Sequence, residues 1–207
     1  MPSADFVRIE EMVNSFPYTY PQPDDAAFSV TTDVADAPWA PSHRLVRIGL
    51  HGREVTAKAR PGSNLVFLID VSGSMQSPDK LPLLVHGLEM LSDGLDQRDH
   101  VAIVVYAGAS GLVLPSTSGA DHGVIRAALS ELHAGGSTNG AAGIELAYAE
   151  AKKNFVPGGI NRVILATDGD FNVGVTSQDA LVKLVQEKAK DGVFLTVLGF
   201  GLGNYRD

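Results

Sequence analysis

The segment Leu65-Val66-Phe67-Leu68-Ile69-Asp70-Val71-Ser72-Gly73-Ser74-Met75 predicts the central strand of this chain of 207 residues and the loop that follows it. Its first five residues form a continuous apolar run, which is typical of a strand buried on both faces of a parallel sheet. An acid and two hydroxyls then follow at alternating positions, as Asp70, Ser72 and Ser74. Ligand sites in open α/β sheets lie just beyond the carboxyl ends of the strands. The stretch therefore predicts three oxygen ligands at the top of a central strand, a set that suits Mg²⁺, Mn²⁺ or Ca²⁺.

Strands and helices alternate along the chain from residue 64 onward. Apolar runs predict strands at 65–71, 101–106, 162–167 and 193–199, and one-sided apolar stripes predict helices at 79–95, 121–132, 139–155 and 178–190. The segment 111–115 predicts a short antiparallel edge strand, because Pro115 suits an edge position. The pattern therefore predicts an α/β fold with a doubly wound, mostly parallel sheet covered on both faces.

Residues 1–60 predict a small α+β extension. A helix is expected over 3–16, and a His51-Gly52 turn is expected to join segments 44–50 and 53–59 as a β-hairpin. Trp39 lies in the loop before that hairpin and is interpreted as a packing anchor. A short Pro-Gly-Ser-Asn linker begins at residue 61, so the main domain is expected to span 61–207.

Composition excludes several classes of protein. The formal net charge of −8 and the pI of about 5.1 argue against nucleic-acid binding, which depends on the neutralisation of phosphates. The chain has no cysteine, which excludes disulfides, thiolate metal sites and a cysteine nucleophile. The sequence contains no apolar run as long as a membrane span and no signal-peptide pattern at its beginning.

Three polar loops lie at or near predicted strand ends. They are Asp70-x-Ser72-x-Ser74, Gly135-Gly136-Ser137-Thr138 and Thr167-Asp168-Gly169-Asp170. If the strand tops adjoin, two carboxylates and three hydroxyls converge on a small cation, while Asp170 is interpreted as a solvated group. Because the first loop lies at the surface end of the sheet, replacing Asp70 with Ala is expected to remove divalent binding and leave the domain folded.

This set of loops resembles the metal-ion-dependent adhesion site (MIDAS) of von Willebrand factor type A (VWA) domains. The resemblance covers roughly residues 61–204 and implies the metal ligands Asp70, Ser72, Ser74, Thr138 and Asp168, with every motif position matched. The segments Ile9-Glu10-Glu11-Met12, Phe16-Pro17-Tyr18 and Leu45–Leu50 resemble a bacterial subgroup that has an N-terminal extension. Members of that subgroup are often predicted envelope lipoproteins. Compared with the family, the chain is expected to lack the last helix and strand.

The resemblance implies a protein-interaction module rather than an enzyme. In the family, Mg²⁺ at this site accepts an Asp or Glu carboxylate from a partner protein. Two alternatives remain: a metal-dependent phosphoester hydrolase, and a structural envelope domain with an incidental ion. The hydrolase would need a nucleophile, a second acid or base, and a Lys or Arg to hold phosphate, and the sequence reveals no Lys at a strand top.

Overall fold

The computed structural model describes residues 9–54, 60–107, 109–135, 141–169 and 178–201. The chain divides into two compact units, with the boundary between Arg60 and Pro61. No helix in these ranges is both long enough and apolar enough to cross a membrane.

The described residues of the first unit form one short helix and a two-stranded antiparallel sheet. Helix α1 spans Ile9–Asn14, strand β1 spans Phe28–Asp36 and strand β2 spans Arg44–Gly52. The helix expected over 3–16 is therefore seen from residue 9, and its first residues lie outside the described ranges. Between α1 and β1 the chain forms neither helix nor strand, in agreement with the prolines of this segment.

The hairpin of this unit has a different register from the one predicted. His51 and Gly52 lie inside β2, paired with Ser29 and Phe28, so the prediction of a turn there is wrong. A two-residue hairpin turn of the favoured type needs positive φ angles, and neither His51 nor Gly52 has one. The connection between β1 and β2 instead contains Trp39, whose side chain is 75% exposed, so its interpretation as a packing anchor is also wrong.

The second unit is built on a five-stranded sheet. Its strands are β3 (Ser63–Asp70), β4 (His100–Ala107), β5 (Ala109–Ser118), β6 (Ile160–Thr167) and β7 (Val193–Gly199). Its helices are α2 (Leu81–Asp93), α3 (His122–Ser130), α4 (Ala141–Lys153) and α5 (Gln178–Lys190), with a 3₁₀ helix at Gly73–Gln76. The strand order is β5-β4-β3-β6-β7, and only the β4–β5 pairing is antiparallel. The predicted mostly parallel α/β sheet and its antiparallel edge are confirmed.

Strand β3 is the centre of the core because both of its faces are covered. All eight of its residues are buried. Leu65, Phe67 and Ile69 pack with buried residues of α2 and α3, while Val66 and Leu68 pack with buried residues of α4. Each large apolar side chain buried in this way contributes about 1.5–3 kcal/mol. The continuous apolar run thus fixes β3 between two helical layers.

The order of the strands also fixes the place of a ligand site. From β3 the chain moves to β4 and β5 on one side, and it then crosses back to β6 and β7 on the other side. Such a reversal opens a crevice at the carboxyl ends of the two strands that flank it. In this sheet the crevice lies between the ends of β3 and β6, where Asp70 and Asp168 are located.

Candidate metal centre

Asp70 ends β3 with its carboxylate buried. The residue is 1% exposed. Its Oδ1 accepts a hydrogen bond of 2.9 Å from the Ser72 backbone N–H, and its Oδ2 accepts the hydroxyls of Tyr106 and Thr167, each at 3.3 Å. Three donors therefore orient the carboxylate at the top of the sheet. The buried carboxylate thus lies at the base of a loop whose next residues reach the solvent at Ser74.

The two serines of the first loop face each other. The hydroxyl oxygens of Ser72 and Ser74 are 3.0 Å apart. Ser72 is buried and Ser74 is exposed, so one hydroxyl of the pair lies in the core and the other lies at the surface. The 3₁₀ helix that begins at Gly73 turns the chain here, and the buried Met75 donates its backbone N–H to the Ser72 carbonyl at 3.0 Å. The turn and the Met75 anchor explain why alternate residues present their oxygens together.

Asp168 follows β6 directly and lies 8% exposed. Its Oδ2 accepts a hydrogen bond of 2.8 Å from the ammonium of Lys80, which also donates to the Ser74 backbone carbonyl at 3.0 Å. Lys80 therefore links the first and third loops. The interpretation that no lysine lies at a strand top is wrong. Lys80 directly precedes α2, and its side chain reaches the carboxyl end of β6.

The second loop contacts the first through Gly135, where the described range 109–135 ends. The Gly135 backbone N–H donates to the Val71 carbonyl at 2.7 Å, which places the start of the Gly-Gly turn beside Asp70 and Ser72. Thr138 itself and Asp170 lie outside the described residues. Of the five predicted ligands, the structure thus places Asp70, Ser72, Ser74 and Asp168 at one edge of the sheet.

Tyr106 is a residue of the site that the sequence analysis did not include among its candidates. It is fully buried at the end of β4, in register with Asp70. Burial, followed by the nearby charge of Asp70, raises the pKa of the Tyr106 hydroxyl well above its ordinary value. The hydroxyl therefore stays protonated and donates to Asp70. The available signal was its position at the carboxyl end of an apolar strand that neighbours β3.

The four candidate ligands placed at this edge offer only oxygen atoms, from the carboxylates of Asp70 and Asp168 and the hydroxyls of Ser72 and Ser74. Mg²⁺, Mn²⁺ and Ca²⁺ prefer such hard ligands, so the residues fit a divalent cation. Across the described part of the chain, no group of three or more His, Cys, Asp or Glu side chains is placed to hold a metal. A centre here would therefore depend on hydroxyls as well as on acids.

Comparison with known families agrees with this architecture. The family described as "von Willebrand factor type A domain" matches residues 65–170, the segment that runs from β3 past β6. The chain belongs to the von Willebrand factor type A family. A second family, described as "von Willebrand factor", matches residues 1–47 of this VWA chain.

Two curated relatives illustrate the range of the similarity. The VWA chain is 43% identical to the protein YfbK of Escherichia coli K12 over its whole length, which is 37% of YfbK. It is 30% identical to human inter-alpha-trypsin inhibitor heavy chain H4, over 67% of this chain and 16% of that protein. The chain therefore spans little more than a third of YfbK and less of the human protein. Neither name describes an enzyme.

Solved structures show the same fold. BatB from Bacteroides thetaiotaomicron has a TM-score of 0.52 and 26% identity, covering 67% of this chain and 66% of that one. An aerotolerance-related membrane protein from Bacteroides fragilis has the same TM-score and identity, covering 68% and 69%. The manganese-loaded TRAP protein of Plasmodium vivax has a TM-score of 0.53 and 21% identity, covering 69% and 58%.

Proposed function

We propose that this VWA domain is a divalent-metal-dependent protein-interaction module, whose MIDAS binds an Asp or Glu carboxylate of a partner protein. The observation that carries the proposal is the cluster at one edge of the sheet. The buried Asp70 carboxylate lies in the same loop as the paired hydroxyls of Ser72 and Ser74. Lys80 connects that loop to the buried Asp168 carboxylate. Thr138 is the fifth proposed ligand. Mg²⁺ is the proposed ion, with Mn²⁺ or Ca²⁺ as substitutes.

The charges explain why such a site would bind an acidic group. If Asp168 holds a divalent ion only through water, Asp70 is the one carboxylate bound directly to the ion. The neutral hydroxyls of Ser72 and Ser74 do not cancel the remaining positive charge, which favours an anionic ligand from outside. The chain itself carries a formal net charge of −8, so an acidic partner would otherwise be repelled. Binding of the partner should therefore require the ion and be lost in EDTA.

The surface beside the first loop offers room for a partner. A cavity of about 340 Å³ is lined in part by Gln76, Leu81, Val85 and Ala134. Gln76 is two residues beyond Ser74, and Ala134 directly precedes the second loop. Residues that flank the partner's carboxylate would pack there.

The proposed location of the protein is the bacterial envelope. The similar structure from Bacteroides fragilis, which is described as a membrane protein, supports this location.

Thermal unfolding of the chain in EDTA, Mg²⁺, Mn²⁺ and Ca²⁺ tests the proposal. We expect at least one ion to raise the unfolding temperature, and Ser72→Ala to weaken the affinity for that ion about tenfold, since a ligand oxygen is lost. Isothermal titration calorimetry gives the affinity directly. Ser15→Ala is the matched control, because its exposed hydroxyl bonds to the Met12 carbonyl and Ser15 belongs to the first unit.

The proposal would be overturned if none of the three ions raised the unfolding temperature. Equal metal affinities for Ser72→Ala and the wild type would overturn it as well. A structural domain with an incidental ion gives a different pattern. In that case the metal shift appears, but Ser72→Ala and Thr138→Ala capture the same partners as the wild type, with or without EDTA.

A metal-dependent phosphoester hydrolase is the second candidate, and the position of Lys80 favours it more than the sequence did. Its ammonium lies at the site but is bound to Asp168 and the Ser74 carbonyl. The position two residues after Asp70 is a serine rather than an acid. We therefore expect no hydrolysis of p-nitrophenyl phosphate with any of the three ions. Turnover that Asp70→Asn abolishes would establish the enzyme instead.

A further inference from the structure

Lys80 stands where helix chemistry disfavours a lysine. It directly precedes α2 at the N-cap position, and its side chain makes no capping hydrogen bond. Short oxygen-bearing side chains are preferred at that position because they accept the unpaired backbone N–H groups. The positive end of the helix dipole also repels a cation there. A favourable interaction elsewhere must therefore offset the placement of Lys80.

That interaction is with the metal centre. The Lys80 ammonium lies 2.8 Å from Asp168 Oδ2 and 3.0 Å from the Ser74 carbonyl oxygen. The side chains of Lys80 and Asp168 are only 19% and 5% exposed, so water screens the pair weakly. A Cβ atom on Gly201 would lie 3.3 Å from Lys80 Cε and 3.7 Å from Lys80 Nζ, so Gly201 also lies beside this side chain. Residues that follow β3, β6 and β7 thus lie near the same ammonium.

We propose that Lys80 is a resident counter-ion of the metal centre, which stabilises Asp168 in the metal-free protein and competes with a divalent ion for that carboxylate. This inference rests on the proposed function, because it takes Asp168 as a metal ligand. It assigns Lys80 a role in setting metal affinity, without making it a ligand.

The energetics follow from burial. Asp168 would be a poorly solvated carboxylate without a partner, and leaving one member of a buried ion pair alone is strongly destabilising. Lys80 therefore lets the loops fold before any metal arrives. A divalent ion that approaches Asp168 meets the ammonium as a like charge and must weaken its hydrogen bond. Part of the binding energy of the metal is spent on that rearrangement, so the wild-type site binds metal more weakly than its ligands alone would allow.

Lys80→Met tests the proposal because the two expected effects have opposite signs. In EDTA the variant should unfold at a lower temperature than the wild type, since Asp168 loses its partner. Addition of Mn²⁺ or Mg²⁺ should raise the unfolding temperature of the variant by more than it raises that of the wild type. Calorimetry should show a metal affinity about tenfold or more above the wild-type value, because the like charge beside the ion is removed. Lys80→Gln removes the charge but keeps a donor for Asp168, so it should show the affinity gain even if Lys80→Met folds poorly.

Two controls separate this role from general effects. Lys80→Arg keeps the positive charge and should therefore show no gain in metal affinity. Lys152→Met removes the lysine of another Lys–Asp pair, 3.4 Å from Asp191, where both side chains are exposed. It should leave the metal affinity unchanged, because an exposed pair contributes little.

Equal or weaker metal affinity in both Lys80→Met and Lys80→Gln, alongside a wild type that binds metal, would overturn the counter-ion role and leave the proposed function standing. No metal binding by the wild type or by any variant would overturn both. Higher affinity in both variants, with no gain in Lys80→Arg, would support the proposal.

Discussion

Replacing Asp70 with Asn is expected to abolish the stabilisation that divalent ions give this VWA domain and to leave the domain folded. A ligand that binds only the folded state stabilises it by about 2.7 kcal/mol at a hundredfold excess over its dissociation constant. For a domain of this size the corresponding rise in unfolding temperature is about 5–10 °C. The variant should lose this rise with Mg²⁺, Mn²⁺ and Ca²⁺, because the amide has no charge to offer the ion. Thermal unfolding with and without each ion measures the loss.

The choice of Asn follows from the surroundings of Asp70. An alanine would leave the Ser72 N–H and the hydroxyls of Tyr106 and Thr167 without their acceptor inside the core. Asn keeps the shape and one acceptor, while both hydroxyls can rotate to accept from its amide group. Asp191→Asn, at an exposed carboxylate, is the control and should keep the full metal shift. An undiminished shift in Asp70→Asn would show that the ion binds elsewhere.

The fold could be predicted because its strongest signals are local. The apolar run 65–69 requires burial on both faces, and the alternation of strands with amphipathic helices leaves a parallel sheet as the solution. Pro115 correctly indicated the antiparallel edge, where β5 pairs only with β4 among the described strands. These features depend on residue type and period, both of which are written along the chain.

The hairpin of the first unit could not be predicted from its turn signal. His51-Gly52 fits a turn in composition, but the strands continue through it because β1 supplies partners for both residues. Pairing between β1 and β2 thus overrode a local preference. A two-residue signal is weaker evidence for a turn than a long β-rich segment is for a strand.

The site shows the same division between local and distant information. Asp70, Ser72 and Ser74 could be predicted because one loop carries them in a recognisable spacing. The partners of these residues could not, since they come from far along the sequence. Tyr106 is 36 residues from Asp70, and Lys80 is 88 residues from Asp168. Their roles depend on strand register and on the path of a long side chain, which only the three-dimensional structure gives.

Phe67→Ala is expected to cost about 3–5 kcal/mol of unfolding free energy, a large part of the 5–15 kcal/mol that stabilises a typical domain. Phe67 is 1% exposed at the middle of β3 and belongs to the core formed with α2 and α3. Its removal leaves a cavity that rigid neighbours on β4 and β6 cannot fill. Urea unfolding measures the loss. Phe194→Ala, on β7 and 50% exposed, is the matched control and should cost about 1 kcal/mol or less.

The same variant separates the scaffold from the site. Phe67 lies on the face of β3 opposite to Tyr106 and the α4 core, and Asp70 bonds to Tyr106. Met75 of the first loop belongs to the same core as Phe67. The Asp70 carboxylate, however, is held by hydrogen bonds from Ser72, Tyr106 and Thr167. In the folded fraction of Phe67→Ala, the stabilisation gained from the ion should therefore stay close to that of the wild type. If the variant lost stabilisation by the divalent ion as well as unfolding free energy, the metal site would depend on the core around Phe67. That result would show that packing beneath β3, and not only the hydrogen bonds around Asp70, sets the position of the ligands.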